Sequence, residues 1–167
     1  MSGTVDKLMA AFAGESQANR RYLAFAKKAD QEGQKQVAKL FRAAAEAETV
    51  HALNHLTRAG KVGVTEANLG TAIEGETYEY KQMYPEFIGI AKADKNSEAQ
   101  WSFTVANKVE EIHAGLYRKA LDAVKAGKQL TAVDYYVCQT CGNTVEGSPP
   151  DVCPICGMPK SQFKLIT

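Results

Sequence analysis

Five glutamates and two histidines within the first 113 residues, and four cysteines within the last 30, are the side chains whose types and spacing point to chemistry. Glu48-x-x-His51 and Glu110-x-x-His113 each set a carboxylate and an imidazole three residues apart, so that on a helix both reach one ion. A lone glutamate after a glycine precedes each pair: Glu15 by 33 residues and Glu76 by 34. One pattern is therefore written twice. Glu79 adds a fifth carboxylate one turn beyond Glu76. Five carboxylates carry −5, which two ferrous ions reduce to −1 and two ferric ions turn to +1, so a metal pair compensates the charge in both redox states. Oxygen and nitrogen donors of this kind suit iron or manganese. A single Glu-x-x-His is commonly a surface coincidence; two at matching distance from a further glutamate are not. His55 has no counterpart in the second repeat and reads as a packed histidine or one that hydrogen-bonds a ligand; Trp101 reads as packing. Tyr22 and Tyr84 follow Glu15 and Glu79 by seven and five residues. They are either core aromatics or hydrogen-bond partners of ligand carboxylates.

The cysteines form two knuckles, Cys138-Gln-Thr-Cys141-Gly and Cys153-Pro-Ile-Cys156-Gly. Paired Cys-x-x-Cys knuckles make a tetrahedral four-sulfur site. The chain opens without a basic segment leading into an apolar run, so a reducing, cytoplasmic setting is expected, where clustered thiols hold metal rather than form disulfides. About 33 residues bury too little surface to fold on a core alone, and the apolar anchors are few: Tyr136, Val145, Ile155, Phe163 and Leu165. Metal binding should therefore drive folding of this part. Zinc and iron both satisfy the spacing. Zinc would make an inert clamp or adaptor, iron a one-electron carrier.

The elements that must position these residues are helices. Apolar residues of the first 127 positions recur at three and four. The pattern predicts a helix from about Val5 to Ala29, broken at Glu32-Gly33-Gln34, and a second reaching Ala59, with Gly60 as its stop. A third, N-capped by Thr65, runs to about Ala93 and is kinked by Pro85; a fourth spans about Ser97 to Ala126, ended by Gly127. Residues 1–127 then form a four-helix bundle, 128–134 a linker and 135–167 the cysteine domain, a mainly α protein. The apolar stripes carry the glutamates near their middles: Phe12, Glu15, Asn19, Tyr22 in the first helix, and Phe41, Ala44, Glu48, His51 in the second. A buried, unpaired carboxylate costs several kcal/mol, so the stripes read as a bundle interior lined for metal. One Glu from each of two helices plus Glu-x-x-His from each of two others is the ligand pattern of ferritin-like di-iron and di-manganese bundles.

Composition excludes other classes. The 167 residues hold 20 Lys+Arg and 19 Asp+Glu, a net charge of +1, without the basic footprint of a nucleic-acid binder or a charge that draws the chain to an anionic membrane. No apolar run approaches the ~20 residues that span a bilayer. With five acids assigned to the interior, 20 bases face 14 acids, and the solvated surface should be more positive than +1.

The two halves together strongly resemble rubrerythrin, a ferritin-like di-iron domain followed by a rubredoxin-like domain. The likeness rests on Ala-Phe-Ala-Gly-Glu15-Ser-Gln, Glu48-Thr-Val-His51, Gly-Glu76-Thr-Tyr-Glu79, Met-Tyr84-Pro-Glu-Phe, Glu110-Glu-Ile-His113 and both cysteine knuckles. It implies that Glu15, Glu48, His51, Glu76, Glu79, Glu110 and His113 bind two irons, oxo- or hydroxo-bridged when oxidised. It further implies that Cys138, Cys141, Cys153 and Cys156 hold one iron, and that Tyr22 and Tyr84 hydrogen-bond ligand carboxylates. One iron would move between His51 and Glu79 with redox state. The implied activity is reduction of hydrogen peroxide to water in oxidative-stress defence, with electrons from an NAD(P)H-dependent reductase or a rubredoxin.

Geometry adds a partner. His113 to Ala126 is 13 residues, roughly 20 Å of helix, and the linker adds at most about 25 Å. The sulfur site then lies far from its own chain's carboxylates unless the linker folds back; a head-to-tail homodimer, as in the family, would bring it beside the partner's. The rival readings are a ferritin-like ferroxidase that stores iron, which needs no electron-carrier domain, and a zinc-ribbon adaptor without catalysis.

Overall fold

The computed structural model describes residues 3–167 and divides into two compact units, one reaching to Gly63 and the other Val64–Thr167. The first is a helical hairpin of α1 (Gly3–Gln31) and α2 (Lys35–Arg58). Gly33 adopts φ +75° at the turn, a left-handed conformation that glycine takes without steric cost, and Gln34 N–H closes the end of α1 on the carbonyl of Ala29 at 2.8 Å. The residues buried between the two helices are alanines: Ala18, Ala26 and Ala29 of α1, and Ala38, Ala45 and Ala52 of α2. Asn19 ties the seam, its Nδ2 donating to the carbonyl of Ala45 at 2.7 Å and to Thr49 Oγ1 at 2.8 Å.

This seam corrects the expected burial. The stripe carrying Phe12, Glu15, Phe41, Glu48 and His51 is not what the hairpin buries. It lies beside the seam, partly or fully exposed. Small residues let two backbones approach closely, and that leaves the adjacent, chemistry-bearing face free.

The second unit begins with α3 (Thr65–Tyr78), continues through a π-helical turn (Glu79–Met83) into α4 (Tyr84–Ala93), and returns along α5 (Ser97–Lys125). Two expectations change here. Thr65 is the first helical residue rather than the cap; Val64 holds the cap position, with no side-chain bond. Asn96 is a true cap, its Oδ1 accepting from the backbone N–H of Ala99 at 3.0 Å. Pro85 does not act alone as a kink. Its missing N–H and its ring disturb the preceding turn, and the chain meets this with a wider turn in which Tyr84 N–H reaches back five residues to the carbonyl of Glu79.

The cysteine domain is a three-stranded antiparallel sheet of β1 (Tyr135–Cys138), β2 (Thr144–Glu146) and β3 (Phe163–Ile166), in the order β2-β1-β3. Tyr136 stands opposite Val145 on one side and Leu165 on the other. The linker folds back, so the separation expected from a straight path does not arise. Thr144 meets His113 on α5, Lys119 Nζ donates to both carboxylate oxygens of Glu146 at 2.8 and 2.9 Å, and a side chain at Gly142 would touch Val109 at 3.8 Å. Among the described residues no helix is long and apolar enough to cross a membrane.

Candidate metal centres

The four cysteines converge on one point. Cys138 Sγ and Cys156 Sγ are 3.7 Å apart, as are Cys141 Sγ and Cys153 Sγ, and all four sulfurs lie within 4.8 Å of one another. A tetrahedral ion with metal–sulfur bonds of about 2.3 Å has sulfur–sulfur edges of about 3.8 Å, so the donor set fits a single ion. The knuckles reach this geometry by the same local device. Gly142 N–H returns to the carbonyl of Cys138 at 2.8 Å, and Gly157 N–H to that of Cys153 at 2.9 Å. Both glycines adopt a positive φ, +83° and +76°. Buried Asn143 points its Nδ2 at Cys153 Sγ, 3.6 Å away. Burial works against the Cys153 thiolate, but the backbone N–H groups of Cys156 and Ile155 face it and bring its pKa down to about 7.

Each unit also holds a carboxylate–imidazole triad. In the first, Glu15, Glu48 and His51 offer ligand atoms within 4.8 Å of one another, and His51 Nδ1 lies 2.9 Å from Glu48 Oε2. In the second, Glu76, Glu110 and His113 do the same, with His113 Nδ1 2.8 Å from Glu110 Oε2 and 3.8 Å from Glu76 Oε1. Burial and then the charge of Glu110 push the Glu76 carboxyl up to about 7. The hydrogen bond to Glu110 raises His113 against the opposing effect of burial. Like charges gathered at one point, sharing a proton with an imidazole, are what a divalent cation relieves. Each triad by itself is a donor set that suits a divalent ion.

Glu79 stands outside the 4.8 Å set, yet its carboxyl is raised by burial and by the charge of Glu110. Tyr84 faces the same carboxylates: burial, then Glu110, Glu79 and Glu76, raise its phenol. Tyr22 packs in an aromatic trio with Phe25 and Phe41. His55 and Trp101 belong to neither triad.

The duplication runs deeper than the ligands. Phe25 and Phe41 meet at 5.5 Å between ring centroids, and so do Phe87 and Phe103; Tyr22 lies 6.2 Å from Phe41, and Tyr84 6.3 Å from Phe103. Glu15 precedes Tyr22 by seven residues, but Glu76 precedes Tyr84 by eight. The π turn lies in that interval. A π turn takes up one extra residue, which accounts for the longer interval in the second repeat.

Sequence reasoning missed Thr144, whose Oγ1 lies 2.9 Å from His113 Nε2 and 3.2 Å from the carbonyl of Gly142. By donating to that carbonyl, the hydroxyl can accept from Nε2–H, which leaves His113 Nδ1 for metal. Nothing in the sequence pairs a threonine three residues past Cys141 with a histidine 31 residues earlier.

The raised carboxyls carry a sign. A group whose folded pKa exceeds its unfolded value stabilises the fold below the unfolded pKa and loses that contribution as pH rises through the folded one. Glu76, Glu79 and His113 are all raised. The melting temperature of the chelated protein should therefore fall as pH rises from about 5 to about 8, with the loss centred near pH 7 where Glu76 titrates. The iron-loaded protein should lack that step. Calorimetry of both forms across the range checks it, and an equal fall in both would refute the assignment.

Comparison with known proteins places the chain in context. The family model described as rubrerythrin matches residues 6–121, and that of the rubrerythrin rubredoxin-like domain matches 136–164. The chain is 37% identical to rubrerythrin-2 of Clostridium acetobutylicum over 96% of this chain and 95% of that protein. It is 36% identical to nigerythrin of Nitratidesulfovibrio vulgaris over 98% and 86%. The solved structure of fully reduced, all-ferrous nigerythrin matches with a TM-score of 0.58 at 33% identity, over 99% of this chain and 88% of that one.

Proposed function

Because the chain belongs to the rubrerythrin family, we propose that it is a peroxidase that reduces hydrogen peroxide to water, drawing electrons through its four-cysteine iron from an NAD(P)H-dependent reductase or a rubredoxin. The family binds a di-iron site and a rubredoxin-like iron, which accords with a part in oxidative-stress defence. The observation that carries the proposal is the bond from Thr144, next to the first knuckle, to the imidazole of His113. An electron carrier joined to a carboxylate-site ligand suits repeated turnover on external electrons. A storage protein has no use for it, and a zinc adaptor has no use for the triads.

A ferrous pair held there would supply the two electrons that cleavage of the peroxide O–O bond consumes. The chain supplies the rest. Glu15, Glu48, His51, Glu76, Glu110 and His113 are the proposed ligands. Glu79, just outside its triad, would be a further carboxylate ligand available to the pair. Reduction of peroxide to two waters takes two protons. Tyr84 Oη and the Glu79 carboxyl, both raised by their surroundings, would hold them in the second hairpin. Tyr22 would be its counterpart in the first, on the strength of the matching aromatic trio.

The test is stopped-flow oxidation of the fully reduced protein by hydrogen peroxide and by dioxygen. Peroxide should oxidise it faster by at least about tenfold, a difference of ~1.4 kcal/mol in barrier. Equal rates would overturn the peroxidase reading in favour of a ferroxidase.

A further inference from the structure

Between α5 and the sulfur domain lies a cavity of about 310 Å³, lined by His113, Tyr117, Tyr135 and Thr144 together with leucines and an alanine. Two of its walls are phenols. A phenol gives up one electron readily only where its proton has somewhere to go, because the oxidised ring is strongly acidic. That condition separates the two. Tyr135 Oη donates to Glu146 Oε1 at 3.3 Å, and Lys119 Nζ holds both oxygens of the same carboxylate at 2.8 and 2.9 Å. Among the described residues Tyr135 is the one phenol with a hydrogen-bonded carboxylate.

This carboxylate differs from those around Tyr84. Glu110, Glu79 and Glu76, which face Tyr84, are proposed ligands, and their lone pairs are taken up when ions are bound. Glu146 belongs to no ligand group and stays free to accept a proton. Burial and then the charge of Glu146 raise the Tyr135 phenol, so it keeps its proton until an electron leaves. Its position is intermediate as well. Tyr135 opens β1 and Cys138 ends it, so the phenol stands three residues from a sulfur ligand and across one cavity from His113.

A reserve of one electron has a use here. Peroxide cleavage takes two electrons, and a site that holds only one releases the remainder as hydroxyl radical. The four-cysteine iron passes electrons singly, so a site holding one electron recurs in every cycle. We propose that Tyr135 is a reserve electron donor, which supplies the second electron when the carboxylate site meets peroxide with only one. The O–O bond then breaks as peroxide takes one electron from a ferrous ion, one from Tyr135, and two protons drawn ultimately from solvent. The products are two waters, one ferric ion and a neutral Tyr135 phenoxyl radical, whose own proton has moved to Glu146. Tyr135 regains its electron from the four-cysteine iron, which passes from ferrous to ferric, and its proton from Glu146, where the charge of Lys119 favours the return. The proposal rests on the peroxidase reading above.

Zinc in the four-cysteine site blocks that resupply and exposes the radical. The zinc-substituted protein, its iron pair reduced by one equivalent of dithionite, is mixed with hydrogen peroxide and freeze-quenched. Electron paramagnetic resonance then detects radicals, and Mössbauer spectra of the same samples record oxidation of the iron. The wild type should show a phenoxyl radical that is lost in Tyr135→Phe, where a spin trap should collect hydroxyl radical instead. Glu146→Gln keeps an acceptor oxygen but takes no proton, and should lower the radical yield about tenfold. Tyr117→Phe should keep the radical, and the fully reduced pair, which carries both electrons, should give none. Oxidised iron without a phenoxyl radical in the wild type overturns the proposal and needs no variant to fold. So does a radical that survives Tyr135→Phe, one that Tyr117→Phe removes, or one equally abundant from the fully reduced pair. Iron left ferrous by peroxide would bring down the peroxidase reading and this proposal with it, a result that the Mössbauer spectra tell apart from the others.

Discussion

With all four cysteines replaced by serine, steady-state peroxide reduction at the expense of NAD(P)H should fall to background, while a single oxidation of the pre-reduced helical domain by peroxide survives. The reason lies in how little else holds the C-terminal domain together. Its strands are four, three and four residues long. Its fully buried side chains are Cys138, Cys153 and Asn143, and Asn143 is itself directed at a cysteine sulfur. Remove the ion and no core remains, so the domain unfolds. The bond from Thr144 to His113 goes with it, and with no relay iron in the chain electrons must come to the carboxylate site directly from an external donor by collision. Losing such an attachment should cost at least ~100-fold in turnover. Zinc substitution separates scaffold from relay. A zinc-loaded domain keeps the knuckles and Thr144 in place but passes no electrons, and it should be as inactive in turnover as the serine variant. Turnover that persisted in either protein would refute the relay.

The same domain shows why some of this molecule is readable in sequence and some is not. The knuckles are local: a sulfur, a glycine and a returning N–H within five residues, so spacing alone reports them. The glutamates and histidines are legible for a related reason, because helical spacing decides which of them share a face. Thr144 is different. Its role depends on the linker folding back along α5, and that path is fixed by contacts with His113 and Lys119 that carry no mark in the chain's periodicity. The burial pattern misled for a physical reason as well. Hydrophobic periodicity identifies a face that leaves water somewhere. Here it picked out a face that the first hairpin leaves partly or fully exposed, while the seam inside that hairpin is made of alanines too small to dominate the pattern.

The π turn yields the other large effect, because it resolves a conflict between the two repeats. By the offset that relates Glu15 to Glu76, Glu79 corresponds to Ala18. Ala18 is buried in the α1–α2 seam at 9% exposure, a place where a carboxylate cannot sit unpaired. In the second hairpin the wider turn begins at Glu79, and that carboxylate stays partly exposed. Deleting Lys81 from the turn should restore a regular helix and the seven-residue interval of the first repeat. Glu79 is then pressed toward the seam with α5, which should cost about 3 kcal/mol and lower the melting temperature by roughly 6–12 °C. Adding Glu79→Ala to the deletion makes the second hairpin a copy of the first at this position, and the lost stability should return. Thermal melts of the chelated proteins by circular dichroism at about pH 8, where the raised carboxyls are ionised, compare the three chains without interference from bound metal. An unchanged melting temperature on deletion, or a double variant no more stable than the single one, would show that the extra residue does not serve to place Glu79.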